Sequence, residues 1–301
     1  MAWIKDTSSR VLREFAEGRR RVVSDWRILI VTRRMAQADN APLPDESKAR
    51  GVRQELERAG ALTPVQGVGG VYIVDVPYAN LLEASEEQII QEANPWAVFG
   101  FLTALSHHGL TDLLPKDLYA IHFTDGEHLR RVPLGTMPED WADGFSRPPQ
   151  KLPAQVNEKK VVWTEMTGNR AFGVTVGYSS GLPVYVTDVE RTLVDAVRMP
   201  EKCGGIAKVL QAWRDAADGF DLGRLVAYTD AYGIKNLRQR VGYLVEKMGM
   251  THPQLDVWRG GLQRGGSVKL VANSAYSGTY SAEWNLSLNV PPPVLAVIEQ
   301  D

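Results

Sequence analysis

A single cysteine, Cys203, is all the sequence has in 301 residues. That excludes an internal disulfide framework and the multi-cysteine zinc sites, and it points to a reducing compartment. Long hydrophobic runs are missing too: the longest apolar-rich stretch, Trp96 to Leu105, is about half a membrane span. The opening Met-Ala-Trp-Ile-Lys-Asp lacks the apolar core of a signal peptide, so a cytoplasmic protein with no membrane partner is expected. There is little charge of one sign, with 34 Lys/Arg against 36 Asp/Glu and a net charge of −2, which argues against a generally basic nucleic-acid binder. Repeats at solenoid periods are absent. Catalytic signatures are absent as well. Gly265-Gly266-Ser267 lacks the Lys-Ser/Thr of a phosphate-binding loop, Cys203 has no nearby partner to make it a nucleophile, and the paired Asp of a nucleotidyltransferase is missing. His122, Asp125, Glu127 and His128 lie within seven residues, but no second group at ligand spacing supports them. No catalysis, metal or cofactor is expected.

What is present describes a folded protein. Hydrophobic residues make up 44% and charged residues 23%, as in ordinary globular chains, and the length suits about two domains. The near-neutral total hides a division, because the first 34 residues carry 9 Lys/Arg against 4 Asp/Glu. The pattern predicts a basic helix over Thr7 to Arg21 and a second helix over Trp26 to Gln37, whose centre Arg-Ile-Leu-Ile-Val equally suits a buried strand. A third helix runs from Asp45 to Ala59, with Ala49, Val52, Leu56 and Ala59 on one apolar face and Gly60 as its stop. Thr63 to Gln66, the turn Gly67-Val68-Gly69-Gly70 and the run Val71 to Val76 then read as a hairpin. Helices followed by a hairpin are the order of a winged helix-turn-helix.

Residues 80 to 114 read as a mostly helical connector, followed by short strands at Leu118 to Phe123, Val161 to Glu165, Ala171 to Gly177 and Pro183 to Thr187. The Pro-rich, polar stretch from Pro133 to Glu158 reads as a surface excursion. Helices follow over Val189 to Arg198, Ile206 to Ala217 and Leu222 to Met248 with a break near Gly233, and the tail from Leu255 returns to strand-like character. Thr187-Asp188-Val189-Glu190 fits a capping box, with Arg191 and Asp195 spaced as a helical pair.

The third helix carries the strongest binding signal. At about 100° per residue, Ser47, Arg50 and Gln54 face away from Val52. Arg suits the paired acceptors of guanine and Gln the acceptor and donor of adenine, while the flanking Arg53 and Arg58 suit phosphates and Lys48 is counted among the DNA-binding residues. Arg19, Arg20, Arg21, Arg33 and Arg34 cluster without base-reading geometry and are assigned to phosphate or minor-groove contact. A second basic stretch, Lys235 to Lys269, has 7 Lys/Arg against 2 Asp/Glu, and Lys235, Arg238 and Arg240 lie on one helix. Such a cationic face could dock an acidic protein surface or an RNA, with a merely solvated face as the competing reading.

Five segments carry a family signal: Gly70-Val71-Tyr72-Ile73, Ala104-Leu105-Ser106-His107-His108-Gly109-Leu110-Thr111-Asp112 with Leu114-Pro115, Val186 to Asp195, Gly204-Gly205, and Arg240-Val241-Gly242-Tyr243-Leu244-Val245-Glu246. Together they resemble the AbiEi family, the antitoxins of bacterial type IV toxin–antitoxin and abortive-infection (phage defence) systems, from about residue 24 onward. The resemblance implies an N-terminal winged helix that represses its own operon by binding operator DNA at an inverted repeat. It also implies a C-terminal domain that neutralises a cognate nucleotidyltransferase-like toxin, with direct contact left open. The expectation is therefore an α/β (α+β) protein with a winged helix-turn-helix over 1–78, a helical connector over 79–115 and an α/β antitoxin domain over 116–301. The residues alone lead only to a DNA-binding module followed by an α/β domain. Two alternatives stand beside that reading: a DNA-binding regulator with a ligand-sensing or dimerisation domain, and a metal-dependent nuclease using the His122 to His128 cluster.

Overall fold

The structure, a computed structural model, describes residues 2–141, 147–262 and 268–298. The chain begins α1 (Ala2–Glu17), β1 (Val22–Ser24), α2 (Asp25–Ala38), α3 (Glu46–Arg58), β2 (Leu62–Pro64), β3 (Val71–Val74). The first helix starts and ends earlier than the sequence suggests, because the β-branched pair Val22-Val23 goes into a strand. β3 is the central strand of the sheet β1-β3-β2, with Val23 opposite Tyr72 and Thr63 opposite Ile73, both pairings antiparallel. Pro64, which has no N–H to offer, sits on an edge strand, where that costs no ladder bond. Val11, Phe15, Val23, Ile28, Val31, Val52, Leu56, Leu62, Tyr72 and Val74 form the core under these elements.

α2 is a helix rather than a strand. Ser24 caps it by accepting from the Arg27 N–H at 3.3 Å, and residues all round its circumference are buried, as in a helix enclosed by its neighbours. α3 keeps the expected face, with Ala49, Val52 and Leu56 buried, and Asp45 caps it by accepting from the Lys48 N–H at 2.9 Å.

The connector is less helical than expected. Only α4 (Glu86–Ala93) and α5 (Phe101–His107) are helices, with β4 (Val98–Phe99) between them. Pro95 supplies the reason, since the residue before a proline avoids helical geometry, and Asn94 is extended at φ −134, ψ 96. Then come β5 (Leu118–Phe123), β6 (Gln155–Val156), β7 (Lys159–Met166), β8 (Val174–Ser179) and β9 (Leu182–Thr187), giving a six-stranded sheet of order β6-β7-β5-β4-β9-β8.

After α6 (Val189–Arg198), α7 (Ile206–Asp215), α8 (Leu222–Ala231) and α9 (Lys235–Lys247), the expected strand at Leu255 is instead a helix, α10 (Pro253–Gly260). Pro253 is pre-set for a first helical turn, and Leu255 and Trp258, three apart, are its buried residues. β10 (Val268–Lys269), β11 (Tyr280–Ser281) and β12 (Leu286–Ser287) form a small sheet of order β10-β12-β11 before α11 (Pro292–Leu295). The architecture is α+β. Its contacts divide the chain into two compact units, Met1–Val98 with His122–Glu165 and Val176–Tyr185, and Phe99–Ile121 with Met166–Thr175 and Val186–Asp301.

The second unit is built around one buried cation. Arg191 has no exposed surface. Its Nε donates to Asp195 at 2.8 Å, and one terminal nitrogen donates to the carbonyls of Arg170 and Phe172 at 2.8 and 3.0 Å. The guanidinium lies 4.2 Å from the Phe172 ring centre and 4.8 Å from that of Tyr232. The capping box is corrected at this helix. Asp188, not Thr187, accepts from the Arg191 N–H at 2.9 Å, and Glu190 reaches sideways to take the Asp221 N–H at 2.8 Å. Thr187 instead shares a hydroxyl contact with Thr192 at 2.7 Å.

Gly242, inside α9, is where the small terminal sheet meets the helices of this unit. A Cβ there would lie 2.1 Å from the Trp284 ring. The indole is buried, and its N–H donates to Glu246 at 2.5 Å. Gly242→Ala would normally stabilise a helix interior by about 0.5–1 kcal/mol. Here overpacking dominates, and a net loss of about 1–3 kcal/mol is expected in denaturant unfolding. Stability at or above that of the parent would show that Trp284 does not seat against α9.

Candidate nucleic-acid interface

α3 presents Ser47, Lys48, Arg50 and Gln54 to solvent. The structure thus leaves all four of these expected contact residues exposed, with Ser47, Arg50 and Gln54 within about 60° of one another and Lys48 set apart at the edge of the buried stripe. Arg53 is half-buried and held in place. It donates to the Tyr72 hydroxyl at 2.7 Å and lies 3.7 Å from Asp25 and 3.8 Å from Glu57. The Tyr72 hydroxyl in turn donates to Asp25 at 3.2 Å, and burial, with Asp25 adding to it, pushes this phenol above its usual range. Arg53 Nε is buried without a hydrogen-bond partner. Beside α3, the β2–β3 turn reverses through Gly67 and Gly70 at φ 76 and 74, and the Asp25 N–H ties it to α2 through the Gly70 carbonyl at 3.0 Å.

The five clustered arginines are placed very differently from one another. Arg19 is exposed, at φ 52, in the left-handed turn that ends α1. Arg20 turns inward, its side chain 18% exposed and 3.8 Å from Glu92; burial and the neighbouring Arg27 bring its guanidinium down to about 10. Arg21 donates to the Val74 carbonyl at 2.6 Å and lies 3.6 Å from Asp75. Arg34 donates through two nitrogens to the two oxygens of Asp140, at 2.7 and 2.5 Å. Arg33 is half-buried. Arg20, Arg21 and Arg34 are therefore engaged by groups within the fold, and sequence reasoning missed this because Glu92, Val74, Asp75 and Asp140 lie far along the chain.

On α9, Lys235 is exposed and Arg238 pairs with Asp230 at 2.6 Å. Arg240 is buried and donates to the Lys269 carbonyl at 2.9 Å, with burial lowering its guanidinium. The helix does not bring the three together on one exposed surface. Gly265-Gly266-Ser267 lies outside the described residues. Cys203 is buried, and burial pushes its thiol well above the usual range, so it has no thiolate character at neutral pH.

Three comparisons with known proteins bear on this chain. Residues 98–247 match the family described as the AbiEi antitoxin C-terminal domain. Curated protein sequences give no match. Among solved structures, the fold is similar to that of the RV2827C protein from Mycobacterium tuberculosis, at 17% identity and a TM-score of 0.55, over 97% of this chain and 94% of that one.

Among the described residues, no group of three or more His, Cys, Asp or Glu is placed to hold a metal. His128 shows what one member of the sequence cluster does instead. Its Nε2 donates to the Trp96 carbonyl at 2.9 Å, its ring packs edge-on against Phe123 and Tyr185, and its Nδ1 is buried without a partner. Burial, helped by Arg131, holds its imidazole below the ordinary value of 6.5, against the opposing effect of the Trp96 bond. The unfolded chain therefore binds this proton first, and the stability His128 supports at neutral pH is lost as pH falls below about 6.5 toward the folded value. His128→Gln keeps an N–H for Trp96 but removes the titration. Its unfolding free energy should fall less steeply than that of the parent between pH 7 and 5, and parallel curves would show that His128 is not buried as a neutral donor.

Proposed function

Because the chain belongs to the AbiEi antitoxin family through residues 98–247, we propose that it is the antitoxin of a toxin–antitoxin pair and also the repressor of its own operon. The family supports the antitoxin role. The DNA-binding role rests on one observation, the order α1-β1-α2-α3-β2-β3 closed by the sheet β1-β3-β2, with Ser47, Lys48, Arg50 and Gln54 exposed on α3. That is the order of a winged helix-turn-helix, in which the helix before the hairpin enters the major groove and the hairpin turn lies beside it. Arg50 and Gln54, one turn apart, then meet base edges, and Lys48 and Arg53 meet phosphates. The toxin partner we propose is nucleotidyltransferase-like, with Lys235 on α9 as a docking cation. No described helix is long and apolar enough to cross a membrane.

Arg50→Ala is expected to weaken binding to an inverted repeat from the protein's own promoter by about 1–3 kcal/mol, with a smaller effect on random duplex. Unchanged discrimination between the two duplexes, read by fluorescence anisotropy, would remove α3 from base reading. The two roles are expected to separate in the full-length chain. Arg50→Ala with Gln54→Ala should still restore growth to cells expressing the toxin. Lys235→Glu with Arg238→Glu should keep DNA binding and lose rescue. A folded charge-reversal variant that rescues like the parent would show that α9 is not the neutralising surface.

A further inference from the structure

The excursion from Pro133 to Glu158 is tied down on both sides of a short strap, to α2 ahead of it and to the end of α4 and the β2–β3 turn at its far end. Ahead of the strap, Arg27 donates to the Leu134 carbonyl at 3.0 Å, Asp140 takes both Arg34 bonds and the Met137 N–H at 2.7 Å, and Trp141 packs against Trp26 with ring centres 6.0 Å apart. At the strap's far end the Lys151 N–H donates to the Ala93 carbonyl at 3.0 Å. The strap itself is Arg147-Pro148-Pro149-Gln150-Lys151, in which Pro148 is buried and the other four residues are exposed. Pro148 and Pro149 face Trp26, Leu29, Ala49 and Arg50 across a cavity of about 320 Å³ between α2 and the first half of α3. The Lys151 ammonium donates to the Gly69 carbonyl in the β2–β3 turn. The strap thus runs from beside Arg50 to the turn.

We propose that Arg147 and Lys151 contact backbone phosphates, making the strap a third DNA-binding element beside α3 and the hairpin turn. This rests on the reading that α3 enters a DNA groove. Duplex DNA carries a negative charge about every 1.7 Å along its axis, so a helix lying in a groove has phosphates on both flanks. The strap sets a cation at each of its ends and holds no carboxylate. Arg147 spends one N–H on the Leu129 carbonyl and Lys151 spends one on Gly69, which orients both groups and leaves further donors on each exposed. Two consecutive prolines limit the conformational freedom lost on binding. The strap also answers a deficit, because Arg20, Arg21 and Arg34 are engaged inside the fold and the interface draws its cations from far downstream.

The test is a salt titration of full-length protein by fluorescence anisotropy, on a duplex carrying the promoter inverted repeat and on a random duplex of equal length. The variants are the Arg147→Ala/Lys151→Ala double, the charge-keeping Arg147→Lys/Lys151→Arg double, and Arg50→Ala. The alanine double should weaken both duplexes alike and lower the slope of log K against log salt by roughly one to two units, at about 0.9 per phosphate contact. The charge-keeping double should retain most of the slope, which separates lost charge from lost packing. If the parent binds and the alanine double keeps its affinity and slope, the strap makes no phosphate contact while the α3 reading stands. If that double binds more tightly, the strap obstructs DNA and the proposal is overturned. If the parent binds neither duplex, the α3 reading falls and the strap proposal falls with it.

Discussion

A fully buried guanidinium imposes more on this chain than any other single group. Stripping a cation of water costs several kcal/mol unless its charge is balanced and its N–H groups are taken up. Arg191 meets that demand with a carboxylate one helical turn away, two backbone carbonyls and two aromatic faces. Each partner becomes constrained in turn. Arg170 and Phe172 must hold their carbonyls toward the guanidinium, so the chain between them turns tightly into Gly173, at φ 60, where a Cβ would come within 2.6 Å of the Arg191 Cβ. Asp195 is also wholly buried and accepts from Tyr232, whose phenol is held protonated by burial and by that carboxylate. One residue thereby fixes α6, the turn before β8 and the end of α8 against each other. Its role is architectural.

The other unit solves the same problem with the signs reversed. Glu92, at the end of α4, is nearly buried. It takes the Ser24 hydroxyl at 2.7 Å and Arg27 Nε at 2.5 Å, while its backbone carbonyl takes the Trp26 indole at 2.9 Å. The start of α2 is therefore fixed from outside the N-terminal helices, and α2 in turn supports the back of α3 through the shared core. That chain of contacts positions the exposed face of α3. Electrostatics also sort the arginines: those that neutralise internal carboxylates, Arg53 of α3 among them, are held within the fold, and Arg50 on α3 and Arg147 on the strap stay exposed.

Local patterns in the sequence were legible wherever a single element determined them. The apolar stripe of Ala49, Val52 and Leu56, the Asp45 cap and the glycines of the β2–β3 turn place α3 and its hairpin nearly to the residue. The four exposed residues of α3 follow from the same stripe. What the sequence concealed depends on distant partners. Nothing near Arg34 announces Asp140, 106 residues on, and nothing near Lys151 announces Gly69, 82 residues back. Arg240 sits beside Val241 on a helix whose buried side is wider than an apolar stripe, since Gln239 and Arg240 both go inside to meet backbone carbonyls. Pro253 misled for another reason: it was a start signal for a helix that the β-rich tail around it obscured.

The order in which the chain supplies its two units has a consequence for synthesis on the ribosome. The first unit takes segments from as far along as Tyr185, and the second already claims Phe99 to Ile121. The N-terminal helices and hairpin emerge early and can gather their own core, but Asp140, Lys151 and the strap reach them only after many more residues have been translated. During that interval Arg34 still lacks its carboxylate and the groove between α2 and α3 lacks its proline cover. The nascent protein therefore passes through a stage in which α3 has formed and its flanking cations have not arrived. If the strap contributes as proposed, a chain still being translated would grip an operator more weakly than the finished one.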